Sequence, residues 1–116
     1  MLSRIPSKHL TAFVVWVPQR YGTHNAAIGS SRWIDDPRTH HYWDAADASG
    51  VAFSHVLRTP GPAWDVYLAY ARGVRWNAAL PPQPTFWMQQ IGMSNVPALN
   101  ASVLATRVRA LLNQQR

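Results

Sequence analysis

Trp64-Asp65-Val66-Tyr67-Leu68-Ala69-Tyr70, approached through Thr59-Pro60-Gly61-Pro62 and followed by Arg72-Gly73, sets how the rest of the chain is understood. Its period-2 pattern predicts a strand over 64–70, because successive side chains of a strand point to opposite faces. Pro60 and Pro62 bracket the approach: proline fixes φ and cannot donate to a ladder, so it belongs at a strand's margin. Arg72-Gly73 makes a turn, and Val74-Arg75-Trp76 is the expected partner in a hairpin.

Upstream, Thr11-Ala12-Phe13-Val14-Val15-Trp16-Val17 is an unbroken β-branched and aromatic run that stops at Pro18. It reads as a strand buried on both faces, the signature of a parallel sheet. A polar loop over 19–25 around Gly22 leads to a helical stretch from Asn25 to Ile34, ended by Asp35-Asp36-Pro37. Thr39 to Trp43 alternates and predicts a short strand, stopped at Asp44. Asp47 or Ser49 is the expected cap of a helix through Val51–Leu57, where Phe53, Val56 and Leu57 share one face.

Beyond the central strand, Pro81-Pro82-Gln83-Pro84 is a stiff connector biased to polyproline II. Phe86 to Ile91 predicts a helical turn or two, broken by Gly92. The last helix is the clearest: Asn100 caps it, and Val103, Leu104, Val108, Leu111 and Leu112 form its apolar stripe. The expected order is β, α, β, α, β, β, α, α in a single domain spanning 1–116, with residues 1–9 a frayed lead-in. That is an α/β domain, or α+β, with a mixed sheet of about four strands and flanking helices in two or three layers.

Composition narrows the chemistry. The 116 residues contain no cysteine, which excludes thiol–disulfide exchange within the chain. Of eleven cations ten are arginine, all five acids are aspartate, and the net charge is +6. Such a balance raises the chance of an anionic partner. The cations nevertheless lie scattered along the chain without a basic run, which argues against nucleic acid, and Arg without Glu is also what a GC-rich coding sequence produces. The apolar run Leu10–Val17 is too short to span a bilayer and has no small-residue cleavage site after it. The expectation is a soluble, untargeted, cytoplasmic protein.

Phe13-Val14-Val15-Trp16-Val17-Pro18, Asp36-Pro37-Arg38, Tyr42-Trp43-Asp44, Pro62-Ala63-Trp64-Asp65-Val66-Tyr67-Leu68 and Trp76 together resemble small bacterial thioredoxin-like proteins of unknown role. With the last helix the similarity covers residues 11–112. The resemblance implies a cis bond before Pro62 or Pro60, a state adopted by about one X–Pro bond in twenty. It also implies a truncation, because such domains open with a strand and a helix that bears paired cysteines, and the chain begins after that unit. The family's first strand lies between the counterparts of 11–17 and 64–70. Its loss leaves two strand edges that 11–17 and 64–70 must satisfy by pairing, by a rearranged fold, or with another subunit. A homo-oligomer is the expected outcome.

Among candidate sites, His40 and Asp44 share one strand face, with His55 or His24 as a third ligand or acid–base partner; His41 points the other way. No metal-ligand spacing accompanies them. Asp65 and Asp47 are further candidate acids, and Asp65 is expected to pair with an arginine such as Arg38 or Arg58. No GxSxG elbow and no glycine-rich phosphate loop occurs, so no catalytic, cofactor or metal residues are nominated. Trp76, Phe86, Trp87 and Met88, with Trp64 and Tyr67, are the residue types of interfaces and aromatic pockets, whereas Trp16, Phe13 and Phe53 are expected in the core. The reading is a non-catalytic, redox-inactive oligomeric binding module. The alternative is a small-molecule binder with an aromatic pocket around Trp76 and Trp87, at a subunit interface.

Overall fold

Parallel pairing dominates the first half of the chain. The computed structural model describes residues 1–19, 22–89 and 93–114. In it Ala12–Trp16 (β1) runs parallel to Thr39–Trp43 (β2), in register from Ala12 opposite Thr39 to Trp16 opposite Trp43. Helix His24–Ser31 (α1) lies in the crossover, as a parallel connection requires. Its start is fixed by Thr23, whose hydroxyl accepts from the Ala26 amide at 3.0 Å. Helix Ala48–Leu57 (α2) follows β2 and ends at Arg58, whose φ of 58° reverses the chain.

The second half pairs antiparallel. Tyr67–Ala69 (β3) faces Phe86–Met88 (β4), with Tyr67 opposite Met88 and Ala69 opposite Phe86. Helix Ala101–Asn113 (α3) closes the chain, its Asn100 side chain accepting from the Val103 amide at 3.1 Å. Of the apolar stripe expected on α3, Leu104, Val108 and Leu111 are buried and Leu112 packs at the edge of the core, whereas Val103 is 43% exposed. Leu104, Ala105, Val108 and Leu111 are buried against Ile5, Ala69 and Met88, and this cluster is the hydrophobic core. Ile5 and Met88 are its two large side chains that are almost wholly enclosed.

The architecture is a mixed one compatible with α+β, with three α-helices and two small sheets of two strands each among the described residues. A single four-stranded sheet is therefore corrected to two separate pairs. The central strand is shorter than 64–70 because Asp65 adopts a left-handed conformation (φ 52°), which breaks the extended backbone before Tyr67. Gly73 does turn the chain, at φ 87°, but Val74-Arg75-Trp76 leaves it exposed and unpaired in sheet. Instead the Tyr70 hydroxyl donates to the Pro82 carbonyl at 2.8 Å and draws the proline connector back alongside β3. The Thr85 amide then bonds the Ala69 carbonyl at 2.9 Å, so Phe86–Met88 becomes the partner strand rather than a helical turn. Ile91 and Gly92, the far end of that expected turn, lie outside the described residues.

Two further expectations change. No cis peptide bond occurs among the described residues, so neither Pro60 nor Pro62 takes the position that the resemblance implied. Residues 1–9 are not frayed: Leu2–Arg4 is a 3-10 turn, Ile5 enters the core, and the Arg38 guanidinium donates to the carbonyls of Leu2, Ile5 and Ser7. Asp36 grips the same guanidinium at 2.8 Å, and this holds its carboxyl down to about 2. Among the described residues no helix is long and apolar enough to cross a membrane.

Candidate functional site

Alternation along β1 and β2 sorts their side chains into two layers. Ala12, Val14, Trp16, Thr39, His41 and Trp43 face inward and are half-buried. Phe13, Val15, His40 and Tyr42 face outward, with Phe13 66% exposed, Tyr42 53% and Val15 44%. Register places Phe13 beside His40 and Val15 beside Tyr42. The rings stack across the ribbon: Phe13 to His40 at 5.4 Å between centroids, Phe13 to Tyr42 at 6.4 Å, both within 26° of parallel. The result is an outward patch of three rings and a valine, without lysine, arginine or aspartate. Phe13 is thus not in the core as expected. The signal for this was on the neighbouring strand, where a histidine and a tyrosine occupy the positions that alternate with Thr39, His41 and Trp43.

The inner layer explains why the histidine pair is not a chelating site. The Trp16 indole N–H can only donate, and it points at His41 Nδ1 from 3.1 Å. Nδ1 therefore accepts, the ring proton sits on Nε2, and Nε2 donates to the Ile34 carbonyl at 3.1 Å. Both nitrogens of His41 are spent. His24 stacks flat on Trp43 at 5.6 Å, while His40 stays in the outer layer and His55 is exposed on α2. No group of three His, Cys, Asp or Glu residues that could hold a metal ion occurs among the described residues.

Asp44 is used otherwise. Its carboxylate accepts from the Ser49 hydroxyl, from the Ser49 amide at 2.7 Å and from the Ala48 amide at 3.2 Å. These bonds, the hydroxyl's first, hold its carboxyl below the usual range. Asp47 does hold the N-cap position of α2, as expected, but makes no side-chain cap bond; the Asp44 carboxylate supplies it instead. Asp47 is buried in a left-handed conformation, takes a 2.6 Å bond from the Gln19 amide, and leaves Oδ1 without a partner. Its carboxylate lies over Gly50, where a Cβ would collide with Oδ1 and come within 2.8 Å of the Ala63 carbonyl oxygen. Asp65 does not meet the arginine expected for it among the described residues.

Asp65 instead joins β3 to β4. It accepts from the Gln89 amide at 2.8 Å and from the Tyr67 hydroxyl at 3.3 Å, and Gln89 in turn accepts from the Leu99 amide. Burial first, then the Asp65 charge, pushes the Tyr67 phenol up, so the pair stays an acceptor and a donor. This is a latch across the sheet rather than a proton-transfer pair.

The expected aromatic pocket disperses. Trp76 meets Phe53 of α2 edge-on at 5.6 Å and donates to the Ala78 carbonyl at 2.8 Å. Phe86 lies under the Arg107 guanidinium, 4.8 Å from its centroid, and Met88 is sealed in the core at 1% exposure. Trp87 is half-buried opposite Leu68, and Trp64 is half-buried next to the buried Ala63. A cleft that residue order did not suggest opens at the inner side of β2. It has a volume of about 350 Å³ and is lined by Ser31, Arg32, Ile34, Asp35, Thr39 and His41 among others. Comparison with protein-family models, with curated proteins and with solved structures finds no match for this chain.

Proposed function

We propose that the chain is a non-catalytic, redox-inactive binding module that works as a homo-oligomer, joined through the outer layer of β1–β2. The observation that carries this is the patch of Phe13, Val15, His40 and Tyr42, which is exposed and free of Lys, Arg and Asp. Two-stranded parallel ribbons are normally covered on both faces; here one face is bare. A patch without formal charge is also the place where two copies of a +6 chain meet with least repulsion.

Area supports the same occupant. The accessible surface is 7998 Å², against about 6,300 Å² for a folded monomer of this mass. The excess of about 1,700 Å² exceeds the roughly 800 Å² that each partner contributes to a standard interface. β1 pairs only with β2 among the described residues, so its second edge is available to a second copy.

Sedimentation equilibrium over a wide dilution series tests the proposal. The wild-type chain sediments at twice its 13.0 kDa mass when concentrated. Phe13→Ser with Tyr42→Ser, two exposed positions whose change leaves the core untouched, gives a monomer with unchanged circular dichroism. A wild-type monomer at every concentration, or a double variant that still dimerises, overturns it.

A further inference from the structure

Charge order along the chain hides a charge order in space. All five carboxylates lie between residues 35 and 65. Residues 1–34 hold Arg4, Lys8, Arg20 and Arg32 with no acid, and residues 66–116 hold Arg72, Arg75, Arg107, Arg109 and Arg116 with none. The fold lays one of these basic segments on the other, because Ile5 is buried in the same core as Leu104, Ala105, Val108 and Leu111. Arg4 donates to the Ser102 hydroxyl at 3.0 Å, and Arg109 donates to the Arg4 carbonyl at 2.8 Å. Arg107 flanks the opposite side of the α3 stripe, over Phe86.

None of these three arginines meets a carboxylate among the described residues. The ion pair found there is Arg38 with Asp36, at the start of β2. Arg4, Arg107 and Arg109 are held instead by a hydroxyl, a ring and a carbonyl, all neutral, and all three residues are exposed. Their positions are fixed while their charge is left over.

We infer that the seam of the N-terminal segment and α3 binds the phosphate backbone of a nucleic acid. Phosphate suits it because a guanidinium offers five N–H donors in a planar fork that matches phosphate oxygens. An anionic bilayer fits less well. Interfacial helices bind membranes through their apolar face, and the apolar face of α3 is consumed in the core. The arginines meet phosphate, so they position a strand without reading its bases. The scatter of cations in the sequence argues against nucleic acid, but the fold brings Arg4 and Arg109, 105 residues apart in the chain, side by side at this seam, with Arg107 on the other flank of the helix. The inference concerns a surface other than the β1–β2 patch and does not rest on self-association.

The test is fluorescence anisotropy of a labelled DNA duplex of mixed sequence with the full chain, at about 50 and about 200 mM salt. Vesicles of phosphatidylserine are run in parallel. Wild-type affinity falls steeply with salt. The triple change Arg4→Gln, Arg107→Gln, Arg109→Gln weakens binding at least about tenfold and lowers the log–log salt slope by about 3, roughly 0.9 for each phosphate no longer neutralised. The matching triple change to lysine keeps the salt slope, which follows charge, and gives up only the part of the affinity that the guanidinium fork supplies, which separates removal of charge from a damaged fold. Absence of duplex binding at the lower salt overturns the inference. So does a Gln variant that binds like wild type, a Lys variant as weak as the Gln variant, or capture by vesicles alone.

Discussion

Ile5, Met88, Leu104, Val108 and Leu111 close on one another and on two alanines, drawing residues from both ends of the chain. The β1–β2 ribbon, richer in aromatic and β-branched residues, closes on nothing outside its inner layer and leaves Phe13, Val15 and Tyr42 in solvent. The contrast shows that the strongest strand former need not mark the core. A helix with a clean apolar stripe buries that stripe whatever its partner, because one face is enough. A parallel ribbon needs cover on two faces, and the described residues cover one.

The largest effect is expected where the closure is tightest. Met88→Ala, at a side chain 1% exposed, should cost about 2–5 kcal/mol in a denaturant melt, as large-to-small changes in cores do. A loss below about 1 kcal/mol would show that the lobe of β3, β4 and α3 is not the stable part of the molecule. Gly50→Ala comes next. Its methyl group has to displace the buried Asp47 carboxylate or the Ala63 carbonyl, and overpacking of that kind costs about 1–3 kcal/mol. An unchanged melting temperature would mean that the turn into α2 is looser than described.

The Asp36–Arg38 pair ties the two regions, since Arg38 immediately precedes β2 and holds the carbonyls of Leu2, Ile5 and Ser7. A carboxyl held at about 2, below the ordinary value near 3.9, contributes stability that is fully present above that ordinary value. The contribution is lost as pH falls through the folded value. Asp36→Asn should therefore flatten the fall in melting temperature between about pH 4 and about pH 2, with little change in the shape of the curve at neutral pH. A variant with the wild-type acid profile would sever the two regions. The smallest effect belongs to the bare face: Phe13→Ala, measured at high dilution, should shift stability by under about 0.5 kcal/mol. A core-sized loss there would place Phe13 inside a monomer.

Much of this contrast could be read from residue order, and the rest could not for physical reasons. The stripe and the Asn100 cap of α3 were legible because both are local and periodic. So were β1, β2 and the opposite orientation of His40 and His41. β4 was not, because Phe86-Trp87-Met88 is too short to show a period, and its partner was chosen by the distant Tyr70–Pro82 bond. The break at Asp65 was hidden since nothing in its neighbours demands a left-handed backbone. The acids were seen as candidates, but not that Asp44 serves α2 and Asp65 serves β3–β4. The exposed ring patch was missed because a run of apolar residues says that a strand wants cover, and is silent on who provides it.

Two regions of unlike completeness should differ in how they respond to concentration: a β1–β2 face covered by a second copy, and a β3–β4–α3 lobe complete in itself. Amide hydrogen exchange, followed residue by residue in a dilute and a concentrated protein sample, reads this difference out. Protection of the amides in 12–16 and 39–43 should rise with concentration, while that of 67–69, 86–88 and 101–113 should not. Protection independent of concentration in both regions would contradict a ribbon covered by self-association.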